Sequence, residues 1–214
     1  RRRHARDKEL DLERRHVGST GGRKGGRSSL WLVRHGETAW SAGGKHTGRT
    51  DVPLTEKGKH QALALKEPLS EHAFALVLSS PLSRALDTCR LAGYGDSVQV
   101  DDNLREWDYG MYEGKSTADV RKGAPGWSIW EADVQGGENV EDVAARARAV
   151  IARAGKAGGD VALFAHAHVL RILAACWAGL PPRAGKHLSL STASLAILGY
   201  EHEYRVIKLW NKTF

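Results

Sequence analysis

Short apolar runs alternate along the chain with stretches in which apolar residues recur every three or four positions. Leu30-Trp31-Leu32-Val33 is almost continuously apolar and stops at Arg34-His35-Gly36, the pattern of a strand buried on both faces of a parallel sheet. Ala73–Leu78, Val98–Val100 and Asp160–Ala165 predict three more strands. Thr55 is placed to cap a helix that should stop near Pro68. Ser80-Pro81 predicts another, with Ser80 as N-cap and Pro81 at the first helical position, running through Cys89 and Leu91. Val140, Val143, Ala144, Ala147, Val150, Ile151 and Ala154 mark one face of a helix ended at Gly158-Gly159. A further helix follows His166 through Trp177 and is stopped by Gly179 and Pro181-Pro182. Ser194–Tyr200 and Tyr204–Trp210 predict a hairpin, and the aperiodic stretch 101–135 predicts loop with short helices. Strands alternating with helices predict an α/β fold: a three-layer α/β/α sandwich on a mainly parallel central sheet.

Charge changes the picture at one end only. The net charge is +7, yet residues 1–29 hold ten Lys/Arg against four acids, so the rest is nearly neutral. The expected division is a basic, disordered tail over residues 1–28 and one folded domain over 29–214. The tail alone could attract a polyanion, so nucleic acid is not an expected partner of the domain. Its sole methionine is Met111, so a chain starting at Arg1 points to trimming or to a longer reading frame. No stretch approaches the roughly 18 apolar residues of a membrane span. Two widely spaced cysteines, Cys89 and Cys176, make neither a disulfide framework nor a four-cysteine zinc site, and they suit the reducing cytoplasm. A homo-oligomer stays open.

In open α/β sheets ligands bind beyond the carboxyl ends of the strands. The strands end in Arg34-His35-Gly36, Ser79-Ser80-Pro81-Leu82-Ser83-Arg84 and Ala165-His166-Ala167-His168, and Glu106 follows the third. Arginine forks suit phosphate oxygens, and a histidine nitrogen can act as base or nucleophile, so this edge reads as a phosphate site.

Those strings resemble the signature of the histidine phosphatase superfamily, the phosphoglycerate-mutase-like enzymes of branch 1. The resemblance extends through Thr47-Gly48, Asp51, Leu54-Thr55, Tyr109-Gly110, Glu113-Gly114 and Gly137-Glu138, from about Leu30 to Trp210. Glu37-Thr38-Ala39-Trp40-Ser41 and Phe164-Ala165-His166-Ala167-His168 bring it nearest the sugar-bisphosphatase group, sedoheptulose-1,7-bisphosphatase-like. The resemblance implies His35 as nucleophile and Glu106 as acid and base, with Arg34, Arg84 and His166 around the phosphoryl oxygens. No metal or other cofactor is needed. Ser41, Thr47, Gly48, Tyr109 and His168 are implied as substrate contacts, with Lys45 and Arg49 possible additions and Glu138 divided between pocket and helix terminus. The remaining histidines, His46 among them, get a structural reading.

The implied activity is hydrolysis of a small phosphorylated metabolite such as a sugar bisphosphate. Only 59 residues separate Glu106 from His166, too few for the long cover that encloses substrate in the mutases. Phosphoglycerate mutase is the alternative within the family. A non-catalytic phospholigand-binding protein, or one that binds polyanions through its tail, is the alternative outside it.

Overall fold

The computed structural model describes residues 27–214, so the expectations about the tail lie almost wholly outside the described residues. The elements are β1 (Leu30–Arg34), α1 (Ala39–Ala42), α2 (Glu56–Ala64), α3 (Lys66–Ser70), β2 (Leu76–Ser79), α4 (Ser83–Cys89), β3 (Val98–Val100), α5 (Thr117–Gly123), α6 (Val140–Ala154), β4 (Val161–Ala165), α7 (Ala167–Trp177), β5 (Leu195–Glu201) and β6 (Tyr204–Lys212). The sheet order is β3-β2-β4-β1-β5-β6; the first four strands are parallel, and β5 and β6 run antiparallel as the expected hairpin.

The continuous apolar runs are explained by burial on both faces. Leu30 and Leu32 of β1, with Val161, Leu163 and Ala165 of β4, pack into one core with α6 and α7. Their alternates Val33, Ala162 and Phe164 pack into a second core with Leu65, Leu69 and Cys89. Two helical layers thus cover a mainly parallel sheet, a three-layer α/β/α sandwich. All seven apolar positions that predict α6 are buried. Asn139 caps that helix, accepting from Glu141 N and Asp142 N while Asp142 reaches back to Asn139 N.

Three local expectations are corrected. Helix α4 begins at Ser83 with Leu82 as its N-cap, not at Ser80. Ser80 still belongs to the sheet edge: its N–H donates to Phe164 O at 2.9 Å, and its hydroxyl faces His166. Strand β2 starts at Leu76 rather than Ala73, where its pairing with Val161 begins. Pro68 does not end a helix but sits in the first turn of α3, where a missing N–H removes no helical bond.

Register brings the chemistry together. Arg34 pairs with Ala165, so His35 and His166 are the next residues on neighbouring strands. His35 N donates to Ala165 O at 3.0 Å, and the two imidazole centroids lie 5.2 Å apart. The turn after β1 then presses on α2, where a Cβ added to Gly36 would collide with the Gly58 carbonyl. Gly36→Ala is therefore expected to cost about 1–3 kcal/mol of stability by overpacking, and to displace His35. Urea unfolding of the variant checks this, and an unchanged midpoint would contradict it.

Candidate active site

Beyond the ends of β1 and β4 lies a cavity of about 430 Å³. Arg34, His35, Glu106, Tyr109, His168, Ser41 and Thr47 line it, as expected from the sequence. Arg84 and His166 are fully buried beside His35 but do not line this cavity. Gly48 lies outside its wall as well.

The ring nitrogen Nδ1 of His35 is 2.7 Å from Gly36 O. A carbonyl only accepts, so Nδ1 carries the proton and Nε2 keeps its lone pair. Burial first, and then the charges of Arg34 and Arg84, hold this imidazole well below the ordinary histidine range. A neutral ring with a free Nε2 is the form a nucleophile requires.

Arg34 donates one Nη1–H to Leu190 O at 2.5 Å, while its Nε is buried and has no partner among the described residues. A buried donor left unpaired costs about 1–3 kcal/mol, and the side chain that carries it lines the cavity. Arg84 is used differently. Its guanidinium donates to Thr50 O (2.9 Å), Thr47 O (3.0 Å) and Gly48 O (3.2 Å), and its Nε donates to His166 Nδ1 at 3.1 Å. It thereby fixes His166 with the proton on Nε2, 2.8 Å from Ser80 Oγ. Gly48 belongs to this support: its N–H donates to Glu113 at 2.9 Å, and a Cβ there would strike the main chain of Trp107.

Glu106 is oriented by main-chain donors. Oε1 accepts from Val169 N at 2.9 Å and Trp107 N at 3.0 Å, and Oε2 accepts from His168 N at 3.0 Å. Two of these donors belong to the first turn of α7, and Glu106 so held lines the same cavity as His35.

Tyr109 OH lies 2.7 Å from His168 Nδ1. Burial, then the Glu106 charge, pushes the phenol well above its usual range, so it is protonated and donates. His168 accordingly carries its proton on Nε2. Ser41 serves a different contact from the one expected: its hydroxyl donates to Thr38 O at 3.0 Å and accepts from Thr38 N, closing a capping box on α1. Arg49 pairs with Asp108 at 2.6 Å, and Glu138 is gripped by Arg146 through both carboxylate oxygens, away from the cavity. The sequence reading missed His46, Arg121 and Arg171, all in the cavity wall, whereas Trp130, read as core or pocket wall, does line it. The spacing of His168 and Arg171, three apart in a helix that starts at the site, is a signal that could have found the arginine.

His35, His166 and His168 share one consequence. Burial is the first cause of each lowered value, followed by Arg34 for His35, Arg84 for His166 and Arg171 for His168. Unfolded, each takes its proton near pH 6.5; folded, each takes it at lower pH. Stability is thus complete above about pH 6.5 and falls below it, by about 1.4 kcal/mol per pH unit for each proton involved. Urea unfolding across about pH 5–8 measures this, and a flat dependence through that window would contradict it.

Among the described residues no three His, Cys, Asp or Glu side chains gather as a metal centre would require. No helix there is long and apolar enough to cross a membrane.

Comparison with known proteins agrees with this geometry. The sequence profile described as "Histidine phosphatase superfamily (branch 1)" matches residues 30–213. An acid phosphatase of Mycobacterium tuberculosis is 39% identical over 86% of this chain and 92% of its own. A sedoheptulose 1,7-bisphosphatase of Saccharomyces cerevisiae is 36% identical over 70% of this chain and 67% of its own. The solved structure of a Mycobacterium tuberculosis open reading frame superposes with a TM-score of 0.82 at 39% identity, covering 87% of this chain and 98% of that one. With its nucleophile-like histidine at the end of β1 and the profile spanning the whole folded sheet, the chain belongs to branch 1 of the histidine phosphatase superfamily.

Proposed function

We propose that the protein hydrolyses phosphomonoesters of small metabolites such as sugar phosphates, through a phosphohistidine at His35. The observation that carries this reading is a neutral His35 with a free Nε2 set in one cavity wall with the Arg34 side chain. Nε2 attacks phosphorus as the ester P–O bond breaks, and the Glu106 carboxyl gives its proton to the leaving oxygen. Water then attacks the phosphohistidine, passing a proton to the Glu106 carboxylate. The P–N bond breaks, releasing inorganic phosphate and restoring Nε2. Arg34 holds the phosphoryl oxygens through both steps, with the charge of Arg84 close by and His166 held in place by it.

A cavity of about 430 Å³ takes in a whole small molecule rather than a phosphate alone. Trp130, Ile129 and Leu190 give it an apolar side, and Thr117 and Ser128 bring hydroxyls suited to a sugar. The name of the yeast relative makes sedoheptulose-1,7-bisphosphate the first substrate to try. Cys89 and Cys176 are both free, and burial pushes the Cys89 thiol up to about 12, an inert thiol suited to the reducing cytoplasm.

The test is phosphate release, with chelator present, from sedoheptulose-1,7-bisphosphate, fructose 1,6- and 2,6-bisphosphate, 3-phosphoglycerate and p-nitrophenyl phosphate. Chelator-resistant release is the expected result. Isomerisation of 3-phosphoglycerate without release would make the protein a mutase instead. Turnover of none of these by the folded protein would leave a phospholigand-binding role.

A further inference from the structure

A phosphoryl group held by Arg34 and His35 occupies only part of the cavity, and the rest of the wall is strongly basic. Four cationic side chains line it, Arg34, Lys45, Arg121 and Arg171, against the single carboxylate of Glu106. Three of these cations lie outside the chemistry described above. None of the three has an acidic partner within ion-pair distance among the described residues.

Their surroundings hold them in place without neutralising them. Arg171 donates from Nε to Gly185 O at 3.0 Å and from Nη2 to Lys186 O at 3.1 Å, and its guanidinium lies 4.7 Å over the Trp130 ring. Its Nη1 has no hydrogen-bond partner among the described residues. Arg121 donates from Nε to Trp127 O at 2.8 Å, which orients the fork and leaves its Nη groups available. Lys45 stands beside the start of α5, joined to its cap residue Ser116 by an isolated bridge, and its ammonium lies 5.6 Å over Trp40. His168 adds a neutral donor, because Tyr109 occupies Nδ1 and the proton sits on Nε2. Carbonyls and ring faces orient a cation but do not cancel its charge. A cavity wall of this composition favours an anion strongly over water.

We propose that Lys45, Arg121, Arg171 and the His168 Nε2–H form a second anion subsite, and that it takes a second phosphate group of the substrate. Three cations more than offset the two charges of a phosphate dianion, and with the N–H they supply donors for its three acceptor oxygens. A carboxylate offers two oxygens and one charge, which a single arginine fork already satisfies. The substrate class is then a bisphosphate of a small sugar, with one phosphate at His35 and the other between α5 and α7. This deepens the phosphatase reading and rests on it.

The test is built so that the two readings fail separately. Binding of fructose 1,6-bisphosphate and of fructose 6-phosphate is measured by calorimetry in His35→Ala, where no turnover intervenes. The bisphosphate is expected to bind at least about tenfold more tightly, the worth of one added charge-assisted contact. Adding Lys45→Met and Arg121→Met, both at exposed positions, should remove most of that difference, and so should Arg171→Met. The wild type gives the same comparison as a ratio of kcat/KM values, which covers any folding defect of the alanine variant. Equal binding of the two sugars, or a preference that survives all three substitutions, overturns the subsite. A preference for 3-phosphoglycerate over glycerol phosphate, with none for the bisphosphate, would assign the second group as carboxylate and overturn the phosphate. Loss of hydrolysis by the wild type on every ester would instead sink the phosphatase reading, and binding would still report on the subsite.

Discussion

Replacing His35 by alanine is expected to lower kcat by about 10⁶-fold, the order observed when the nucleophile of a covalent mechanism is deleted. The loss should fall on kcat rather than on binding. Arg34 keeps its bond to Leu190 O and its place in the cavity wall. Only the Nε2 lone pair is missing, together with the bond from Nδ1 to Gly36 O that sets its tautomer. A residual rate within about tenfold of the wild type would mean that phosphorus is attacked by something other than His35. The acid limb of the wild-type pH–rate profile carries the same information. Because burial and the two arginines hold His35 well below the usual imidazole range, kcat/KM should not fall through the protonation of a free histidine near pH 6.5.

Glu106→Gln should lower kcat by about 10²–10⁴-fold on alkyl phosphates, the usual contribution of a positioned acid or base. The amide is nearly isosteric, and with its oxygen in the place of Oε1 it still accepts from Trp107 N and Val169 N, while its NH2 faces His168 N and that one bond is lost, so a stability loss of about 1–3 kcal/mol is expected with the fold retained. What it cannot do is give up a proton to the leaving oxygen. The effect should accordingly depend on the leaving group: severe for a sugar phosphate, and much smaller in the first step for p-nitrophenyl phosphate, whose phenolate leaves without protonation. Burst kinetics with p-nitrophenyl phosphate separate the steps, since the variant should still release nitrophenol rapidly once and then stall at the hydrolysis that needs a base. Equal losses on both substrate types would assign Glu106 to orientation rather than proton transfer.

Much of this site could be read in the sequence because it depends on local order. A parallel strand buried on both faces shows as an apolar run, and whatever follows it must lie at the carboxyl edge of the sheet; Arg34-His35 and His166 were legible on that ground alone. The seven buried positions of α6 were equally plain, because one helix face determines them. Ser80 misled for a physical reason. Its serine-proline string fits a helix start, but pairing with β4 holds its backbone in the sheet and His166 takes its hydroxyl. Ser41 and Arg84 were identified as residues of the site, though not with these partners: a capping box and three main-chain carbonyls are acceptors that no motif spacing reveals. Arg121 and His46 enter the cavity only through the aperiodic stretch before α6 and the loop after α1. Their place is decided by tertiary packing against Trp127, Tyr109 and one another's loops, not by any repeat in the chain.

The central claim is a covalent bond from His35 to phosphorus, and its most direct measurement is capture of that bond. Enzyme mixed with a phosphomonoester is quenched in alkali within one turnover, since phosphohistidine survives base and hydrolyses in acid, and the peptides are then examined by mass spectrometry. The account predicts a phosphoryl group on the peptide carrying His35, more abundant in Glu106→Gln, where its hydrolysis lacks a base, and absent from His35→Ala. Rapid turnover with no phosphorylated histidine at any quench time, or the phosphoryl group on His166 instead, would contradict it.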